Sequence, residues 1–208
     1  MRNIAFAIIA VLVFSITASA SHPLITDDPD TLGMGNYQVE VTGEYSAEGG
    51  DRETEAGIEL KWKFYEHNEY SLAIKPGVTL ATGDEDKGFG EGKPAYSVVI
   101  IGAKAIGEAE IYMNIGYVIN RIELRDMWNY SLAGIYGISE HLTLVVNAGG
   151  ETNPDMASND HPLFILGGLI YSLSRSLDID AGIKAGLTEA ENDYSFLAGM
   201  TLKFGRTQ

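Results

Sequence analysis

The chain has 208 residues, of which 45% are hydrophobic, with no cysteine and a formal net charge of -15 at pH 7. The lack of cysteine excludes disulfides, thiolate chemistry and an acylated N-terminal cysteine. The acidic charge argues against nucleic acid as a partner, because affinity for phosphate backbones comes from Lys and Arg.

Residues 1–20 have the pattern of an export signal. Arg2 supplies a positive start, residues 4–16 form a hydrophobic run, and Ala18-Ser19-Ala20 is a small-residue cleavage site. The apolar run is about a dozen residues long, which is short of the roughly 20 that a membrane-spanning helix needs. We therefore predict a cleaved signal peptide at 1–20. Its removal takes away one arginine and changes the net charge from -15 to -16.

Residues 21–35 are predicted to be a periplasmic segment, here called the lead-in, that precedes the main fold. Its prolines, Pro23 and Pro29, prevent pairing as a strand. The run 27–30 contains three aspartates, which suggests calcium, but it lacks the spaced ligands and the glycine of a calcium loop. We favour an ordered segment without metal. A lead-in that tucks into the fold as a plug is an alternative.

Residues 36–204 repeat a segment of about a dozen residues in which apolar and polar side chains alternate. In the first repeat, Tyr37 and Val39 fall on one face and Gln38 and Glu40 on the other, which is the signature of a β-strand. Ten strands are predicted in this way, at 36–47, 53–65, 69–81, 95–106, 109–120, 127–139, 141–151, 162–174, 176–188 and 193–204.

The connections between these segments alternate between two classes. Bacterial outer-membrane barrels have an even number of strands, short periplasmic turns and longer external loops. We therefore predict an all-β fold, an up-and-down antiparallel transmembrane β-barrel of about ten strands, with a C-terminal tail at 205–208. Twelve strands remain an alternative if the lead-in pairs with a loop. The predicted short turns are at 66–68, 107–108, 140 and 175, and the longer loops are at 48–52, 82–94, 121–126, 152–161 and 189–192.

Aromatic residues of the apolar faces cluster at the ends of the predicted strands, as in the aromatic girdles of membrane barrels. The last strand ends in Phe204, which resembles the C-terminal signal that directs outer-membrane proteins to the barrel-assembly machinery. The predicted girdles consist of Tyr37, Phe64, Tyr70, Tyr136 and Phe204 at the short-turn end, and of Tyr45, Tyr96, Tyr117, Trp128, Phe164 and Tyr194 at the long-loop end.

The polar faces carry many charges and are predicted to line a lumen. Because eight strands leave a lumen that side chains fill and open pores form near sixteen, ten strands should be nearly filled. We favour a plug-like network of carboxylates and lysines, which would satisfy buried charge. A narrow polar conduit whose selectivity these charges set is the alternative. The predicted lumen-lining residues are Glu40, Glu44, Glu59, Lys61, Lys75, Glu110, Asn114 and Lys184.

No catalytic, cofactor-binding or metal-binding residues are predicted. The chain has no nucleotide-binding loop, no zinc-ligand spacing and no G-x-S-x-G motif. His161 lies near Asp155 and Asp160 in a predicted external loop, but a general base also needs a positioned partner and a nucleophile, and the sequence suggests neither. We therefore expect neither enzyme activity nor a cofactor.

The start of the mature chain carries a family resemblance. Residues 22–33 and 35–40, His-Pro-Leu-Ile-Thr-Asp-Asp-Pro-Asp-Thr-Leu-Gly and Gly-Asn-Tyr-Gln-Val-Glu, resemble the opening of the outer-membrane transporter family named for the MetA pathway of phenol degradation. The resemblance implies an outer-membrane barrel that passes hydrophobic or aromatic compounds. Further matches are at 80–84, 114–117, 177–182, 186–188 and 197–201.

Together these observations predict a monomeric outer-membrane barrel of a Gram-negative bacterium. We expect a narrow channel or transporter for small compounds, including hydrophobic or aromatic ones. A structural or ligand-binding outer-membrane barrel with a plugged lumen is the alternative. The expected partners are outer-membrane lipid, the barrel-assembly machinery and a small-molecule solute.

Overall fold

The structure is a computed structural model that describes residues 23–29, 33–48, 51–81, 94–119, 125–153 and 156–202. For 43–48, 51–55, 81 and 202 it describes the backbone alone. The predicted signal peptide, the loop 82–93 and the tail 205–208 lie outside the described residues. Within the described part of the chain, no helix is both long and apolar enough to cross a membrane.

The described residues form ten β-strands in one sheet. This confirms the all-β fold and the ten predicted segments, because the alternation of apolar and polar residues is itself the geometry of a strand. The strands are β1 (Tyr37–Glu48), β2 (Asp51–His67), β3 (Tyr70–Ala81), β4 (Ala95–Ile106), β5 (Ala109–Ile119), β6 (Met127–Gly137), β7 (Leu142–Glu151), β8 (Leu163–Ser174), β9 (Leu177–Gly186) and β10 (Tyr194–Leu202).

Every strand pairs antiparallel with the next one in the chain, so the topology is up-and-down as predicted. The register is regular over long stretches, for example from Tyr96 opposite Ile119 to Ile106 opposite Ala109 in β4 and β5. Two register shifts occur in the described pairings, one in β2 between Lys63 and Tyr65 and one in β8 between Ser172 and Ser174. Among the described residues, β1 and β10 do not pair with each other, so the sheet has a seam between them.

The tight turns adopt the backbone conformations that their residues favour. Asn68, between β2 and β3, has φ 52°, and Gly107, between β4 and β5, has φ 64°. Asparagine and glycine tolerate this left-handed conformation best. The prediction of a longer loop at 48–52 is wrong, because β1 and β2 stay paired up to Glu48 opposite Asp51 and only residues 49–50 connect them.

The two faces of the sheet differ in character. Apolar side chains project from the outer face, where Met113 is 52% and Leu132 54% exposed. Seven of the aromatic residues predicted for the girdles are exposed there, while Tyr117 is half-buried and packs against Trp128 with ring centroids 4.7 Å apart. The side chain of Tyr45 and the whole of Phe204 lie outside the described residues. Phe164 is the exception: it is buried on the inner face, so its assignment to the outer girdle is wrong.

Candidate functional site

Residues 23–29 of the lead-in lie against the inner face of the sheet. Asp27 contacts lysines of β2 and β3 as well as Asn114 of β5. Ile25 and Thr26 contact Asn147 of β7. Because strands so far apart in the sheet reach the same short segment, the sheet must curl around it, as the wall of a barrel does.

Asn147 holds the backbone of the lead-in. Its side-chain oxygen accepts hydrogen bonds from the N–H groups of Ile25 at 2.8 Å and Thr26 at 3.2 Å. Its amide nitrogen donates to Thr26 Oγ1 at 2.7 Å and to the carbonyl of Leu132 at 3.0 Å. Asn147 and Thr26 are both buried. Polar groups buried in this way are costly to leave without partners, so these bonds hold the lead-in in one position.

Asn114 of β5, two strands away from Asn147, binds the lead-in at a second point. Its side-chain amide is oriented so that both its oxygen and its nitrogen form hydrogen bonds. The oxygen accepts from the N–H of Asp27 at 2.6 Å, and the nitrogen donates to the carbonyl of Asp27 at 3.1 Å. The lead-in also needs glycine behind it: a Cβ on Gly168 would lie 2.9 Å from Pro23. The interior of the sheet therefore fits this segment in shape as well as in hydrogen bonding.

The Asp27 carboxylate joins an ion-pair cluster inside the sheet. Lys75 Nζ lies 2.5 Å from Asp27 Oδ2, 3.2 Å from Glu59 and 3.8 Å from Glu40. Lys61 Nζ lies 3.1 Å from Glu40 and 4.0 Å from Asp27. Both lysine side chains are less than a tenth exposed. Because a buried ammonium is unfavourable unless carboxylates lie close to it, Asp27 of the lead-in stabilises both lysines together with Glu40 and Glu59.

A cavity of about 420 Å³ lies next to the lead-in, toward the long-loop end of the sheet. Its volume is in the range of small-molecule sites. Ile25 and Asp27 of the lead-in are among the residues that line it. The other lining residues are Glu59, Lys75, Val99, Asn114, Asn129, Tyr130, Ser131, Gly150, Glu151, Pro162, Phe164, Lys184 and Glu191.

At the long-loop end of this cavity, described residues of the connections after β7 and β9 bond to one another and to β9. Lys184 of β9 pairs with Glu191, in the connection after β9, at 2.9 Å. The Thr188 hydroxyl donates to the carbonyl of His161 at 2.9 Å, which ties the connections after β7 and β9 together. The N–H of Asn153 donates to His161 Nδ1 at 3.0 Å. His161, which was considered above as a general base, thus uses its Nδ1 to bind within its own connection and its carbonyl to hold the two connections together.

The eight residues predicted to line the lumen do not form one group. Five of them, Glu40, Glu59, Lys61, Lys75 and Asn114, come together around Asp27. The remaining three lie elsewhere or are not described: Lys184 lines the cavity near its mouth, Glu110 bonds to the Tyr112 hydroxyl near the short-turn end, and the side chain of Glu44 lies outside the described residues.

Sequence reasoning did not predict the roles of Asn147 and Asp27. Asn114 and Asn147 lie on the polar faces of β5 and β7, where any polar residue fits. Their position in the sequence is therefore only a weak indication that they bind another segment. The interior is also more apolar than expected, because Ile101, Val145 and Leu166 are fully buried there. Among the described residues, no group of three or more His, Asp or Glu side chains is placed to hold a metal ion.

Comparison with protein families gives one match. The family model described as "Putative MetA-pathway of phenol degradation" matches residues 31–204 of this chain. The match covers all ten strands and begins after the lead-in residues 23–29. Comparison with curated proteins finds no match.

Proposed function

This chain belongs to the family described by the MetA pathway of phenol degradation, and from that premise we propose that it is an outer-membrane β-barrel that passes small compounds. The solutes include hydrophobic or aromatic molecules. Passage is passive and runs through the interior, which residues 23–29 close in the resting state. The protein is not an enzyme.

The outer face of the sheet supports the location in the membrane. Between the aromatic residues at the strand ends it carries Ile100, Met113, Leu132 and similar side chains, all exposed. A soluble protein rarely exposes so continuous an apolar surface, whereas a membrane barrel presents such a surface to lipid. The alternation of apolar outer and mixed inner residues along each strand is the pattern that a membrane barrel needs.

The observation that carries the proposal is how residues 23–29 are held. They are held by side chains, through Asn114, Asn147 and Lys75, and they belong to no strand. Such contacts can break without disturbing the sheet, because strand pairing does not depend on them. A solute would enter the cavity from the long-loop end and cross the barrel when the lead-in moves aside. The lead-in would then act as a gate.

The alternative function is a structural or ligand-binding barrel in which the lead-in never leaves. Its support is the number of contacts that Asn147 and Lys75 make with the lead-in. In that case the cavity at the long-loop end would bind a compound without passing it on. The two functions differ in one measurable property, which is whether the interior ever opens.

Single-channel conductance of the refolded mature chain in planar bilayers tests the proposal. We expect rare openings in the unmodified protein. In the double variant Asn114→Ala/Asn147→Ala the fraction of time open should rise at least about tenfold, because each buried hydrogen bond contributes on the order of 1 kcal/mol and about 1.4 kcal/mol changes an equilibrium tenfold. A variant that lacks residues 21–29 should stay open.

The control is Asn129→Ala, which removes an amide from the same cavity at a position with no hydrogen bond to the described part of the lead-in. It should leave the open fraction unchanged. Heat-dependent gel migration shows that each variant has folded. If the folded deletion and double variants remain electrically silent, the gate is wrong and the plugged barrel is the better account.

A further inference from the structure

We infer that the cavity beside the lead-in binds small amphipathic cations, in which an amine is joined to a compact apolar body. The inference rests on the proposed function, since it names the class of solute that the cavity selects. Its support is that one cavity is lined both by a half-buried carboxylate that joins no ion pair among the described residues and by an aromatic ring.

The charges that line the cavity favour a cation. The lining includes four carboxylates, those of Asp27, Glu59, Glu151 and Glu191, against the ammonium groups of Lys75 and Lys184, which leaves a net charge of -2. Carboxylates already hold both lysines: Lys75 contacts Asp27 and Glu59, and Lys184 contacts Glu191. Among the described lining residues, an anionic solute would therefore find no lysine that is not already paired. A cleft lined by one sign of charge concentrates ions of the opposite sign.

Glu151 is the carboxylate available to a solute. It is half-buried at the end of β7, and within the described part of the chain it takes part in no ion pair shorter than 4.0 Å. Lys184 and Glu191, which pair with each other, line the same cavity. A partly buried charge interacts more strongly with a cation than an exposed one does, because less water lies between them.

The apolar wall lies directly beside Glu151. The N–H of Glu151 donates to the carbonyl of Pro162 at 3.1 Å, and the ring of Phe164 lies two residues further along β8. Gly149 leaves room for that ring, since a Cβ there would lie 2.9 Å from it. Lys184 Nζ lies 5.5 Å from the ring centroid, so the face of Phe164 already accommodates a cation. A solute in this cavity would have its apolar body in contact with the exposed part of Phe164 and Pro162 and its amine at Glu151.

Three probes of equal size separate the contributions of charge and shape. Benzylamine, benzyl alcohol and benzoate share one ring and differ in the charge of the attached group. We would titrate each into the refolded mature chain in a nonionic detergent, by calorimetry at constant salt. Benzylamine should bind at least about tenfold more tightly than benzyl alcohol, and benzoate should give no saturable signal.

The variant Glu151→Gln tests the assigned residue. It should lower the affinity for benzylamine about tenfold and leave that for benzyl alcohol unchanged, because it removes the charge and keeps the shape. Glu189→Gln is the matched control, since it removes a carboxylate from an exposed position outside the cavity lining, in the connection after β9. It should change neither affinity.

Two results would overturn the inference. One is binding of benzoate or benzyl alcohol as tight as that of benzylamine. The other is an equal effect of Glu151→Gln and Glu189→Gln, which would show that the overall acidity of the surface attracts the amine. Neither result bears on the gate, because the conductance of the lead-in variants tests passage without any of these probes.

Discussion

Replacing Met113 by arginine is expected to lower the free energy of unfolding by about 2–4 kcal/mol in lipid vesicles, the cost of an arginine near the middle of the bilayer on the outside of a barrel. Met113 lies at the middle of β5 on the outer face and is 52% exposed. In a soluble protein the same change at an exposed position would cost little, within about 0.5 kcal/mol. Denaturant titration of the unmodified protein and of the variant, each folded into vesicles, measures the change in the free energy of unfolding.

Met156→Arg provides the matched control for this prediction. Met156 is 61% exposed and lies in the connection between β7 and β8, outside the strands. If the strands span a membrane, arginine there stays in water and the stability should hardly change. Equal stability of the two variants would contradict the membrane location. A large loss for Met113→Arg alone would support it, since the two substitutions introduce the same side chain at exposed methionines.

Replacing Lys75 by methionine is expected to destabilise the folded protein by about 2–3 kcal/mol. The change keeps most of the volume and removes the charge that three carboxylates share, those of Asp27, Glu40 and Glu59. Removing one partner of a buried ion pair costs about 3–5 kcal/mol. The expected value is lower because these carboxylates are 24% to 31% exposed and water screens part of the repulsion.

Two further variants show whether the effect comes from the cluster. Lys104→Met removes a lysine on the outer face, over the ring of Tyr70, and should have a much smaller effect. In an Asp27→Asn background, Lys75→Met should cost clearly less, since one carboxylate has already lost its charge. If Lys75→Met costs no more than Lys104→Met, or if the two changes at the cluster are additive, the ion pair to the lead-in does not hold it in place.

The net charge of the ion-pair cluster depends on whether the lead-in is in place. Asp27 is one of five charged groups there, three acidic and two basic, so the cluster carries one negative charge with the lead-in in place. When residues 23–29 move aside, two carboxylates and two lysines remain and the charges balance. The interior therefore needs no new counter-ion to open. That balance is compatible with a gate, and the conductance of the lead-in variants decides whether it operates.

The number of strands, their order and most of their limits to within a few residues could be predicted from the sequence. Each of these depends on local information, namely the alternation of apolar and polar residues and the positions of turn residues such as Asn68 and Gly107. The loop at 48–52 was predicted wrongly for a related reason. Its charged residues look like a loop, but pairing with the opposite strand extends β1 and β2 through most of them.

The faces of β8 could not be assigned from the sequence, because apolar and polar residues do not alternate at its start. Leu163, Phe164, Ile165 and Leu166 are four apolar residues in a row, so the pattern does not say which face of β8 is the inner one. The tertiary structure decides it: Phe164 and Leu166 are both buried on the inner face. A side chain predicted to contact lipid is thereby placed in the cavity.

The position of the lead-in was decided by the tertiary structure alone. Thr26 and Asn147 are 121 residues apart, and Asp27 meets Lys75 from a segment with no strand pattern. No local rule connects such residues, because their contact depends on how the whole sheet curls and on the space left inside it. The strand pattern therefore determined the wall of this protein, and only the curling of that wall around residues 23–29 determined what its charged interior holds.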